Sequence, residues 1–310
     1  MDLRVDRSQA VVMYGSGPRH RCLETDNGMD RVLLLSLLWP LGPSVAPPPV
    51  EVVPLDVVLM AGEVTLRGQG LGGHTDECLM VELVNHTDRP LETTIPAGWL
   101  MKNSDPEGQD LMIVDRVPVR LAPRGTHRAT CRAFCVESGD RSPSAGVPFT
   151  SLGLACPAWV RLADHLVRNK INPDDAQAAV WAVANAHTIA AISTAAISLR
   201  QFVADLTGRE VPWYGLSYAP PTEDGQVFSA LPTTMQGTVH FELNTQGRIT
   251  ALIHDAGGRL VYTIGKPRYL GPGTYSMELV VTVRGWPHGS YSVSYYLDDS
   301  RLLKRLRFEV

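Results

Sequence analysis

The stretch RAFCVES, residues 132–138, decides how the first half of this chain is read. Phe134, Cys135 and Val136 form an apolar run inside a segment that otherwise alternates, as a β-strand does. Forty-two positions further on (177 minus 135), DDAQAAVW at 174–181 reads as a helix. Gln177, Val180, Trp181 and Ala184 are spaced i, i+3, i+4, i+7 and share one apolar face of it. A carboxamide on such a face needs partners, because an unpaired buried polar group costs about 1–3 kcal/mol. The sequence therefore sets a thiol on a strand against an amide on a helix.

Outward from that pair the chain divides into regions. Residues 47–150 read as β: CLMVELVNHTDRPLETTI carries two runs around Asn85-His86-Thr87-Asp88, a hairpin signature, and further strands flank the APRG turn at 122–125. Residues 156–207 read as helical. Trp159, Leu162, Ala163 and Leu166 line one face of the first helix, and Asn172, Pro173, Asp174 and Asp175 open the next as N-cap, first-turn proline and dipole-matching acids. A third helix closes at Gly208. From 236 strong alternation returns, as in TVHFELN, RITALIHD and YSVSYYL. The expected fold is mainly β with a helical insert: a β-sandwich with a three-helix unit over 47–214, a linker over 215–235, and a small immunoglobulin-like sandwich over 236–310.

The amino-terminal part reads differently. Residues 1–28 have no sustained period. From Met29, a short basic start at Arg31, an apolar run Val32–Trp39 and a small-residue end Ser44-Val45-Ala46 have the layout of a secretory signal peptide. Met29 is then the expected true start and 1–46 an extension plus leader, with no membrane span in the mature chain, since spanning needs about 20 apolar residues. The alternative is a buried helix or strand of a cytosolic protein. Export implies an extracellular, cell-surface or periplasmic location.

Net charge is −4 across 310 residues, with 19% charged, so a basic nucleic-acid footprint is absent. The five cysteines are Cys22, Cys78, Cys131, Cys135 and Cys156, with no C-x-x-C pair. Cys131 and Cys135 lie about 13 Å apart along a strand, too far for a disulfide to each other. In an oxidising compartment Cys135 has Cys78 or Cys156 as disulfide partners; otherwise it is an ordinary buried thiol. His74, Asp76 and Glu77 in GLGGHTDEC are weak metal candidates, more simply an exposed turn. His165 and His187 read as structural or exposed. No G-x-S-x-G elbow or phosphate loop occurs. The expectation is a protein without catalytic residues or cofactor.

FCV at 134–136 and AQAAVW at 176–181 resemble the paired motifs of bacterial thioester domains of surface adhesins, a likeness covering roughly 90–210. The resemblance implies a thioester between Cys135 and Gln177, with Phe134, Val180 and Trp181 as supporting pocket. The thiolate would attack the carboxamide and expel ammonia, leaving a stored acyl electrophile for a lysine amine of another molecule. DAGGRLVYTI at 255–264 and WPHGSYSVSYY at 286–296 resemble carboxy-terminal secretion-sorting and hook-cap-type modules. Together they imply a binding or adhesion protein at the cell surface, its partner a host or neighbouring-cell protein or polysaccharide. The competing reading is a non-catalytic envelope or scaffold protein with inert cysteines.

Overall fold

The computed structural model describes residues 52–310. The extension and leader read at 1–46 lie outside the described residues. The first module begins with a short helix, α1 (Leu55–Met60), inside a region expected to be all β. Nine strands follow: β1 (Val64–Gly70), β2 (Leu79–Asn85), β3 (Leu91–Ile95), β4 (Trp99–Asn103), β5 (Leu111–Ile113), β6 (Val117–Leu121), β7 (Thr126–Cys131), β8 (Ala133–Cys135) and β9 (Pro148–Leu154). Seven of them form one antiparallel sheet in the order β7-β2-β1-β9-β4-β5-β8, and β3 pairs with β6 and, through Glu92, bridges Val52.

The chain leaves one edge strand at Cys131 and enters the opposite edge strand at Ala133, with only Arg132 between them. The two edges therefore lie side by side and the sheet is curled. Its concave face holds a core of Leu79, Val81, Leu83, Met101, Leu111 and Ile113, covered by Leu91, Ile95, Val119 and Leu121 of the β3–β6 ribbon.

The hairpin expected at Asn85–Asp88 does not form: β2 and β3 join different sheets. Asn85 explains the departure. Its amide nitrogen donates to the carbonyls of Arg89 and Ala122, and its side-chain oxygen accepts from the Thr87 N–H. Those bonds turn the chain out of the sheet before a hairpin can close.

The helical unit is α2 (Pro157–Arg168), α3 (Pro173–Ala184) and α4 (Ile197–Thr207), with a 3₁₀ turn at Ile189–Ala191. Asn172 caps α3 as expected, accepting from the Asp175 N–H at 2.9 Å, and Gly208 ends α4 at φ 67°. The helices cover the convex side of β5 and β8, where Met112, Val114, Phe134 and Val136 meet Leu162, Val180, Leu199 and Val203. These two short strands are thus buried on both faces. That is why LMI and AFC read as continuous apolar runs where alternation would be expected. Each such side chain stabilises the fold by about 1.5–3 kcal/mol when fully buried.

The second module packs β10 (Tyr214–Tyr218), β11 (Pro232–Leu243) and β14 (Gly273–Thr282) against β13 (Leu260–Leu270), β12 (Gly247–Asp255), β15 (Ser290–Leu297) and β16 (Arg301–Glu309). Three strands face four, an immunoglobulin-like layering. Met235, Val239, Ile253, Val281, Val293 and Phe308 fill the space between the sheets. The two ends of the segment expected as a linker, 215–235, are strands of this module: 215–218 lie in β10 and 232–235 in β11, and the two strands pair. Only 219–231 lacks strand pairing to a named strand, and the proline, glycine and acidic residues that suggested a linker are concentrated there.

Candidate functional site

Gln177 and Cys135 meet. The carboxamide of Gln177 donates through Nε2 to the Cys135 carbonyl at 2.8 Å, and its Oε1 accepts from the Cys135 N–H at 3.1 Å. Because β8 is an edge strand, this amide occupies the place that a further strand would take. The same edge is shared by the loop after β1: the carbonyls of Asp76 and His74 accept from the Ala133 and Cys135 N–H groups. The polar demand that the sequence placed on Gln177 is met by main chain.

The Cys135 thiol belongs to the concave core with Cys78 and Cys131, whereas the neighbours Phe134 and Val136 face the helices. Burial pushes the Cys135 thiol far up, with Cys78, Glu137 and Asp110 adding to the effect. Cys78 and Cys131 are pushed up to about 12, chiefly by burial. All four described cysteines are free thiols, and Cys156 is exposed just before α2.

An aromatic cluster stands over this end of α3. Trp181 stacks with the His74 ring at 6.3 Å between centroids, and its indole N–H is buried without a partner. Phe228, from the 219–231 segment, lies 5.5 Å from Trp181 and 4.3 Å from His187. Of the expected pocket residues, Val180 and Phe134 sit in the helix–strand core and Trp181 carries the cluster. His74, Asp76 and Glu77 do not converge as ligands. Among the described residues no three His, Cys, Asp or Glu side chains are placed to hold a metal ion.

Sequence reasoning named Asp175 only as a first-turn acid and His187 only as structural or exposed, left Glu137 unread, and so missed three polar contacts. Asp175 is buried and accepts from the Ser193 N–H at 2.8 Å, tying α3 to the next connection. Glu137 accepts from the Asp110 N–H at 2.7 Å, and burial holds its carboxyl above the usual range. His187 bonds the Ser138 hydroxyl at 2.9 Å, and burial keeps its ring below the ordinary value.

No family model matches the chain, and no curated protein matches it. A solved structure described as "Biofilm associated protein - BSP domain" is similar at 14% identity over 82% of this chain, with a TM-score of 0.18. The chain spans 54% of that structure's length. A likeness at this level carries no argument about fold or activity.

Proposed function

We propose that the protein is an exported, non-enzymatic binding protein of the cell surface, with Cys135 and Gln177 as its covalent anchor point. The observation that carries the reading is that this one thiol-bearing residue and this one carboxamide, 42 positions apart, meet in a buried place. The leader-like stretch beginning at Met29 supports export. No helix among the described residues is long and apolar enough to cross a membrane.

The step balances simply. The Cys135 sulfur bonds to the Gln177 carboxamide carbon, the carbon–nitrogen bond breaks, and Nε2 leaves as ammonia with the thiol proton. A primary amine then displaces the sulfur, restoring the thiol and leaving an amide on Gln177. The hydrogen bonds hold the carboxamide against the Cys135 main chain, not against its sulfur. The step requires the thiol to turn from the concave core toward the strand edge.

A second reading is favoured by two observations: the raised thiol of Cys135, which opposes thiolate formation, and the full use of the Gln177 amide by main chain. On it the pair is a structural clamp in an inert scaffold. Intact mass of native protein separates the two. The covalent reading expects one ammonia less than the sequence mass and methylamine incorporation at Gln177, both abolished by Cys135→Ala. A full-mass protein that takes up no methylamine leaves the clamp.

A further inference from the structure

We propose that the outer face of the four-stranded sheet in the second module binds a carbohydrate polymer with repeated anionic groups. This rests on β12, β15 and β16 and is independent of Cys135. A groove of about 540 Å³ crosses that face, lined among others by His254, Ser292, Tyr296, Arg305 and Arg307.

Its layout follows from register. Ser290, Ser292 and Ser294 alternate along β15 with the core residues Tyr291, Val293 and Tyr295. Ser292 is opposite Arg307 on one side and His254 on the other; Ser294 is opposite Arg305. Ser290 and Ser292 give the groove a low, hydroxyl-lined floor, Ser294 is fully buried beneath Arg305, and the arginines of β16 form a wall beside the floor. Arg305 donates to the Ser294 hydroxyl at 3.0 Å and to the Tyr296 hydroxyl at 3.3 Å.

The charge here is unbalanced. Among the described residues no carboxylate lies within ion-pair distance of Arg305 or Arg307. Asp255, the acid at the groove's end, is already engaged by Arg259 through its N–H at 2.9 Å and its guanidinium at 3.1 Å. Glu309 follows Arg307 by two positions on the same strand, opposite Ser290, and forms no ion pair with it. Two guanidinium groups on this face, against that one carboxylate, are thus left for an outside anion. Guanidinium forks suit carboxylate and sulfate bidentately.

The repeat selects the ligand class. Arg305 and Arg307 are two residues apart on one strand, so their stems stand about 7 Å apart, each with a hydroxyl alongside, that of Tyr296 beside Arg305 and that of Ser292 beside Arg307. A single phosphate uses one such unit. A chain of sugars bearing an acid group on successive residues, with hydroxyls between, uses both, and the Tyr296 ring offers a surface for a sugar face.

The test is calorimetric titration of the full-length protein with oligogalacturonate, with a neutral maltooligosaccharide of equal length and inorganic phosphate as controls. Binding is expected for oligogalacturonate only, weakening about tenfold on raising salt, as screening requires. Arg307→Glu has no intramolecular side-chain partner to disturb and should abolish binding with an unchanged melting temperature. Ser292→Leu, which fills the floor but keeps both arginines, should weaken it as well. Equal binding of the neutral sugar, binding of phosphate as tight as that of oligogalacturonate, undiminished affinity in Arg307→Glu, or no binding of oligogalacturonate would each overturn the proposal.

Discussion

Gln177 holds Cys135 by both main-chain polar atoms, at 2.8 and 3.1 Å, so a helix side chain completes the hydrogen bonding of an edge strand. The relationship joins the two cores of the first module. Cys135 sends its side chain into the concave core, while its main chain is fastened to the helical unit on the other side.

Gln177→Leu should therefore destabilise the first module by about 1–3 kcal/mol, because the Cys135 carbonyl loses its Gln177 donor in a buried place. The Cys135 N–H retains the His74 carbonyl, which keeps the loss within that range. Urea unfolding of wild type and variant measures it. A midpoint shift within error would mean that the clamp contributes nothing to stability.

Stability should fall on the alkaline side. Cys78 and Cys131 ordinarily ionise at 9.0 and are raised to about 12 in the fold, so the unfolded chain gives up their protons first. Their contribution is complete below about pH 9 and drains away as pH rises toward 12, by at most about 1.4 kcal/mol per pH unit for each thiol. Urea midpoints between about pH 8 and about pH 11 should decline, and decline less steeply in Cys131→Ala. An equal slope in the variant would sink this assignment of the buried thiols.

The second module should need β10. A fragment of 236–310 lacks that strand and cuts β11 short, whereas one of 211–310 retains both. The longer fragment should melt cooperatively and the shorter one at lower temperature or not at all. Protease nicking of the intact protein should fall within 219–231, outside β10 and β11, since cleavage favours exposed chain without strand pairing. Cuts within 214–218 would contradict this.

How much of this was legible in the sequence depends on the range of the physics involved. The start of α3 was readable because Asn172, Pro173 and the following acids act over four residues. The apolar face of α3 was readable from spacing, and that face alone required Gln177 to find a partner. The strands of the second module follow from period-two alternation, as in SYSVSYYL, which already contained the serine row.

Tertiary structure decided everything that rests on which strand lies beside which. Asn85–Asp88 has the composition of a hairpin, but the carbonyl of Ala122, 37 positions away, draws Asn85 into a different turn. Tyr214–Tyr218 lies beside a proline-rich stretch and becomes a strand because β11 offers it a full set of partners. The sequence placed a thiol and an amide on elements that had to pack. That the amide would take the main chain of Cys135, and the thiol the opposite core, depended on β8 being the edge of a curled sheet, and local periodicity cannot encode an edge. For the same reason alternation alone puts Arg305 and Arg307 on one face of a strand, and only register sets them against Ser294 and Ser292.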